Sequence, residues 1–182
     1  MTESSTFVSK KIQPLTPVYW KVKKLYEHSF PAVERLPYFW MTSTAMLNRA
    51  DFFAYYLDGI FCGFTFSLSS KEVYYPIFLA VVPEMQSQGC GGKILSAIAK
   101  KAGERPSYVT IEPLDFTADN ALQRKKRLSF YEKNGYYLTA YRYHENQEIY
   151  HVMTTQPDKP IHYFEKIAKR VEASGVKIKI SQ

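Results

Sequence analysis

PEMQSQGCGGKILSAIAKKAG, residues 83–103, decides how this chain is read. It follows VYYPIFLAVV, residues 73–82, which is apolar on both parities and reads as a central strand covered on both faces. Pro76 conflicts with that, since proline cannot donate to a ladder, and a bulge or splayed strand resolves it. Next comes Gln86-Ser87-Gln88-Gly89-Cys90-Gly91-Gly92-Lys93, opening a helix with Ile94, Leu95 and Ile98 on one face and a stop near Gly103. Glycines let the backbone approach a ligand closely, and a helix start offers free N–H groups and partial positive charge. A strand, a glycine-rich loop and a helix start together make an anion site suited to phosphate or pyrophosphate. The common nucleotide fingerprints fail. A P-loop ending in Gly92-Lys93 needs glycine at Ser87 and a hydroxyl residue at Ile94. A dinucleotide fingerprint starting at Gly89 needs glycine or alanine at Ile94. Taken alone, the loop is equally a turn that merely links strand to helix.

Working outward, DFFAYYLDGIFCGFTFSL, residues 51–68, holds Asp58-Gly59 between two aromatic runs, a hairpin signal. Residues 7–15 read as a first strand. Residues 17–29 form a helix with Pro17 in its first turn and Val18, Val22, Leu25 and Tyr26 on one face. SFPAVERLPYFW, residues 29–40, reads as a loop, with a short helix around 39–48. Downstream, 107–114 is a strand, 118–134 a helix, and YYLTAYRYH and EIYHVMTT a final antiparallel pair. Asp158 precedes an amphipathic helix with Ile161, Phe164, Ile167, Ala168 and Val171 as its stripe and Gly175 at its end. The class is α/β (α+β) with a mostly antiparallel sheet and one strand–loop–helix crossover.

Composition bounds the rest. The 182 residues are 46% hydrophobic and 23% charged, which fits one globular domain over 1–182 and excludes a disordered chain. Cys62 and Cys90, the two cysteines, exclude a disulfide scaffold. Neither a signal peptide nor a membrane-spanning run is read, so the expected compartment is the cytoplasm. The net charge of +7 could attract an anionic partner, but no nucleic-acid motif accompanies it, and Arg124-Lys125-Lys126-Arg127 reads as a solvated helix face. Neither nucleic acid nor membrane is expected as a partner. The four histidines show no metal-ligand spacing, and no metal is expected.

Residues 127–136 supply a second signature: RLSFYEKNGY, a helix end bearing Tyr131, a glycine stop at Gly135 and an aromatic strand start. Tyr131 by itself could be a packed core tyrosine. The two elements in this order resemble the GNAT superfamily of acyl-CoA-dependent N-acyltransferases. There, a Gln/Arg-x-x-Gly-x-Gly/Ala loop, here Gln86-x-x-Gly89-x-Gly91, holds the pyrophosphate of coenzyme A. The family's Phe-Tyr-x-x-x-Gly-Phe/Tyr signature is here Phe130-Tyr131-Glu132-Lys133-Asn134-Gly135-Tyr136. SFPAVERLP resembles an acceptor-side stretch of some small bacterial members. The resemblance covers about 7–155 and implies splayed central strands flanked by helices. The helix over about 159–175 lies beyond it.

What the resemblance implies is acetyl transfer from acetyl-CoA to a primary amine, on a small molecule or a peptide, by direct attack in a ternary complex. Ala80 and Val81 would pair with pantetheine through their backbone, Gln86 to Lys93 would bind the pyrophosphate, and Tyr131 would protonate the departing thiolate. An acyl-cysteine is not expected: Cys90 lies at the wrong end of the cofactor in this reading, and Cys62 is simplest as core. The family's strand carboxylate falls on Ile77, so the base is open; Glu112 is the catalytic candidate and Glu34 an acceptor-binding one, each equally readable as a surface or salt-bridged carboxylate. Water could also mediate proton removal. The family's pantetheine asparagine falls on Arg124, with Asn120 nearby. The missing carboxylate at Ile77 keeps a rival reading open, a non-catalytic acyl-CoA-binding regulatory module, and a basic RNA-associated protein on the same fold is a third. Monomer and homodimer are both compatible. The aromatic run of the first 80 residues could line an acceptor cleft or form core.

Overall fold

The computed structural model describes residues 5–182. Among the described residues five α-helices and eight strands are mixed along the sequence, with two four-stranded sheets ordered β1-β2-β3-β4 and β5-β7-β6-β8. The chain divides into two compact units, the first formed by residues up to Leu68 with Pro76–Lys101 and the second by Ser69–Tyr75 with Ala102–Gln182. The division inside β4 (Tyr74–Val81) falls at Pro76, the residue that lacks a ladder donor.

In the first unit, α1 (Pro17–Ser29) begins where the Thr16 side chain accepts from the Tyr19 N–H at 3.4 Å and Pro17 presets the first turn. It ends as Phe30 turns extended ahead of Pro31, and it buries Val22, Leu25 and Tyr26. The region 29–40 is less irregular than its two prolines suggest. Ala32–Glu34 form one tight helical turn, and α2 (Tyr38–Met46) starts directly after Pro37. β1 (Phe7–Lys11) stops short of the expected Leu15, because Pro14 and a left-handed Leu15 end the extended run. It pairs antiparallel with β2 (Ala50–Leu57), which forms the expected hairpin with β3 (Ile60–Ser69). Asp58 and Gly59 both take positive φ, +50° and +80°, the demand of a tight type I′ turn. Tyr55 opposes Gly63 while Tyr56 opposes Phe61, so Cys62 is an extra, bulged residue. Its carbonyl accepts the Val82 N–H at 2.9 Å. Most of the aromatic run is core: Tyr26 meets Phe78 and Phe64 edge-on at 4.9 and 6.1 Å, and Phe52 meets Phe66 at 5.5 Å. Phe39, by contrast, is 81% exposed.

In the second unit, β5 (Tyr108–Ile111), shorter than the expected 107–114, pairs antiparallel with β7 (Glu148–Thr154). β7 pairs with β6 (Tyr137–Glu145). Tyr74 makes an isolated parallel bridge to Ser107. α3 (Cys90–Ala102) belongs to the first unit up to Lys101, and α4 (Ala121–Lys133) lies within the second. The C-terminal extension departs from one continuous helix. α5 (His162–Ala168) runs on as a 3-10 turn over Lys169–Ser174 and ends at Gly175, φ +100°. An unforeseen strand, β8 (Ile178–Ser181), then pairs antiparallel with β6. The extension is core rather than appendage: Phe164 is fully buried, stacked on Tyr108 at 4.7 Å and edge-on to Tyr75 at 5.0 Å. Among the described residues no helix is long and apolar enough to cross a membrane.

Candidate active site

After β4, a tight turn at Pro83–Met85 leads into Gln86, Ser87, Gln88 and Gly89, all exposed. Ser87 and Gly89 take φ of +63° and +77°. The left-handed region is natural for glycine and uncommon for serine, so this turn is held in a special shape. Gln86 Nε2 donates to the Val81 carbonyl at 3.3 Å, and Gln88 Nε2 to the Glu84 carbonyl at 2.7 Å. These bonds tie the loop to itself. The first hydrogen bond of α3 runs from the Lys93 N–H to the Gly89 carbonyl at 3.1 Å. The N–H groups of Cys90, Gly91 and Gly92 therefore have no partner within the helix and mark its positive end. Cys90 points its side chain inward and is buried, while Gly91 and Gly92 keep the helix start bare. Burial and the neighbouring Cys90 push the Cys62 thiol up to about 12.

Ala80 and Val81 lie at the end of β4, the terminal strand of the first sheet, so that sheet engages only one of its edges. A Cβ on Gly63 would collide with the Ala80 carbonyl and lie 3.1 Å from Ile94 Cδ1. Only glycine fits between β4 and α3 there. Glu34 closes the short turn after Pro31, donating its N–H to the Pro31 carbonyl at 3.0 Å, and is half-buried.

In the second unit, Glu112 directly follows β5 and is engaged on both oxygens. Arg127 pairs with Oε2, Arg124 Nε lies 3.7 Å from Oε1, and Asn120 Nδ2 donates to Oε1 at 2.9 Å. Arg124 also donates to Asn120 Oδ1 at 2.7 Å and to the Pro113 carbonyl at 3.0 Å. The basic run on α4 is thus partly internal, with two of its four members facing Glu112. Tyr131 sits on the last turn of α4, 9% exposed, its ring 5.3 Å from Phe130 and 5.4 Å from Tyr136. Gly135, φ +82°, reverses the chain so that the Tyr136 N–H donates to the Tyr131 carbonyl at 3.1 Å. Burial pushes the Tyr131 phenol up to about 12. Among the described residues nothing hydrogen-bonds its hydroxyl, whereas Tyr136 shares a 2.8 Å bond with Ser107. No three His, Cys, Asp or Glu side chains among the described residues are grouped as metal ligands would be.

The family model described as an acetyltransferase (GNAT) domain matches residues 48–138, half of the chain. The chain belongs to the GNAT acetyltransferase family. An uncharacterized N-acetyltransferase, YhfO, of Bacillus subtilis (strain 168) is 34% identical over 85 residues, 43% of this chain and 53% of that protein. The match thus spans about half the length of that curated relative. A putative GNAT-family acetyltransferase from Bacteroides thetaiotaomicron superposes with a TM-score of 0.72 at 19% identity, covering 93% of this chain and 99% of that one. A GNAT-family acetyltransferase from Elizabethkingia anophelis, solved with acetyl-CoA bound, gives 0.56 at 14% identity over 82% and 97%. Both likenesses show the fold.

In this GNAT chain the residues singled out from sequence fall into two groups. Ala80, Val81 and Gln86–Lys93 share the first unit with Glu34, and Glu112 and Tyr131 share the second. The departure at Arg124 has a structural counterpart, since Arg124 and Asn120 converge on Glu112. Two features escaped the sequence reading. Gly63 inside a strand was a visible sign of close backbone approach. Glu145, whose carboxylate accepts from the Tyr143 hydroxyl at 2.7 Å, carried no motif at all.

Proposed function

We propose that this chain transfers the acetyl group of acetyl-CoA to a primary amine on a small molecule or peptide. The observation that carries the reading is the loop before α3. Its positive-φ Ser87 and Gly89 and its bare helix start suit a pyrophosphate, in a chain of this family. Gln86, Ser87, Gln88, Gly89, Cys90, Gly91, Gly92 and Lys93 form this binding loop. The backbone of Ala80 and Val81, on a terminal strand, suits an extended pantetheine amide arm.

The amine attacks only after losing a proton, because an alkylammonium of pKa about 10 has no lone pair to offer. Its nitrogen then bonds to the thioester carbonyl carbon, and the C–S bond breaks. The thiolate takes its proton from Tyr131, whose raised phenol is fully protonated at neutral pH. The proton released from the new amide nitrogen returns to the Tyr131 phenolate through solvent. Proximity of two bound substrates supplies much of the rate without a covalent intermediate. For Glu112 the ion pairs support an anchoring role for α4, since taking a proton would disrupt them. Glu34 stays with the acceptor side.

Calorimetric titration of acetyl-CoA into the wild type and a Gly89→Glu variant tests the reading. Micromolar binding that the added carboxylate abolishes is the expected result, followed by thiol release with amine acceptors. A wild type that does not bind acetyl-CoA overturns it. Binding without turnover on any amine favours the regulatory-module reading, which Ile77 at the family's carboxylate position keeps in view.

A further inference from the structure

The sheet of the second unit carries a cationic face that acetyl transfer does not use. Side chains alternate along each strand, so residues paired across a ladder share a face. Tyr143 on β6 pairs with Tyr150 on β7, and its ring lies 6.3 Å from Phe164 on α5. Arg142 and His144 on β6 and His151 on β7 therefore stand on the face turned away from Phe164. β8 adds Ser181, paired with Arg142, and Lys179, paired with His144. Ser181, Arg142 and His151 thus form one row across three strands, and Lys179 and His144 form the next row, about 7 Å along. Lys179 is exposed and the other four are half-buried. All five lie beyond residue 138, where the match to the family model ends.

No acid on β6, β7 or β8 balances these cations. Glu145 and Glu148 pair with each other on the Tyr143 face, and among the described residues no carboxylate forms an ion pair with Arg142, His144, His151 or Lys179. The Arg142 guanidinium makes one long bond, Nη1 to the Tyr141 carbonyl at 3.5 Å. His144 Nε2 lies 2.7 Å from Ser181 Oγ, which fixes that ring over β8. Like charges set opposite one another in a ladder are unfavourable, and burial together with the Arg142 charge lowers the His151 pKa. A neutral His151 still keeps one N–H donor. We propose that Arg142, His144, His151, Lys179 and Ser181 form a binding site for a phosphate monoester. The planar Arg142 fork suits two phosphate oxygens, and ring N–H groups and the Ser181 hydroxyl supply donors for the rest. Arg142 and Lys179 are two fixed positive charges, matching the nearly two negative charges of a phosphate monoester at neutral pH. A carboxylate carries one charge and leaves one cation unmatched.

The test follows the imidazole resonances of the four histidines by NMR at pH 7 as sodium phosphate is added, with sodium acetate and sodium chloride at matched ionic strength as controls. His144→Gln and His151→Gln assign the two rings. Saturable shifts of His144 and His151 with phosphate, weaker with acetate and missing with chloride, are the expected result, while the exposed His28 and His162 stay unmoved. Arg142→Gln and Lys179→Gln should each weaken phosphate about tenfold or more. Lys179 is exposed, so its variant keeps the result readable if Arg142→Gln disturbs the sheet. Equal shifts with phosphate and chloride, or undiminished phosphate binding in both variants, overturn the proposal. Acetyl-CoA and its 3′-dephospho form separate two sources of the group. Shifts with the first and not the second assign it to the cosubstrate, and a phosphate titration unchanged by saturating acetyl-CoA assigns it to another phosphate-bearing ligand. If acetyl-CoA fails to bind at all, the transfer reading falls, and the phosphate titration still decides whether this face is a phosphate site.

Discussion

Arg127 on α4 closes an ion pair on Glu112, the residue that directly follows β5, and Arg124 approaches the same carboxylate at 3.7 Å. This joins the helix carrying Tyr131 to the strand before it. Glu112→Ala takes the acceptor from Arg127 and the facing charge from Arg124, and should cost about 1–3 kcal/mol of stability. A urea titration reads this directly. Glu112→Gln keeps an acceptor oxygen and should hold acetyl transfer within about tenfold of wild type. A loss beyond about 100-fold at unchanged stability would instead make Glu112 the proton acceptor.

Gly63 faces the Ala80 carbonyl without room for a methyl group. Gly63→Ala must push β3 from β4 or displace Ile94, which is fully buried on α3. Overpacking of this kind costs about 1–3 kcal/mol. The strain falls on the strand end that leads into the glycine loop, so acetyl-CoA affinity should weaken together with the thermal midpoint. A variant with both unchanged would mean that the two strands separate easily.

The sequence carried the first unit well because its signals are local. Asp58-Gly59 dictates a turn by its dihedrals alone, and the loop before α3 combines glycines with a helix start. What stayed hidden depends on partners distant in sequence. IKIS at 178–181 becomes a strand only because β6 offers a free edge. Residues 169–174 carry a helical stripe, yet the turn tightens where Gly175 reverses the chain. Glu112 was legible as a carboxylate near a strand end. Its two arginines became partners only once α4 folded back beside β5. Glu145 sits in an ordinary hairpin, and its orientation comes from Tyr143, which no pattern singled out.

Cys62 and Cys90 are both buried, and burial and the neighbouring Cys90 push the Cys62 thiol up to about 12. The thiolate is the reactive form, and here it is suppressed. An aromatic disulfide reagent at pH 8 should find almost no thiol in the native protein within minutes, and two after unfolding in urea. Incubation with acetyl-CoA should leave the protein mass unchanged. Rapid labelling of Cys90, or an acetyl adduct on it, would reopen a covalent route.

Tyr131 is held protonated to about 12, so as the acid for the departing thiolate it imposes no alkaline fall in rate below about pH 11. Tyr131→Phe should reduce kcat about 10²- to 10⁴-fold while leaving acetyl-CoA affinity near wild type. The removed hydroxyl has no hydrogen-bond partner among the described residues, so stability should change little. An equal fall in stability and rate would point to a packing role for the ring instead.

The same burial acts on many phenols at once. Tyr55 and Tyr131 are pushed to about 12, and Tyr75, Tyr136 and Tyr143 higher still, in every case chiefly by loss of water. Below about pH 10 these groups are protonated in both folded and unfolded chains and do not bias folding. Above it the unfolded chain releases protons that the folded chain retains, so stability falls as pH rises. Each such phenol contributes about 1.4 kcal/mol per pH unit, and the five together about 7. A domain stable by about 5–15 kcal/mol reaches its limit roughly one to two units above pH 10. The 295 nm absorbance of these phenols should therefore rise in one step that coincides with loss of far-ultraviolet circular dichroism. Ionisation of all five with the dichroism intact would show that water reaches them in the native fold, and would remove burial as the reason Tyr131 stays protonated.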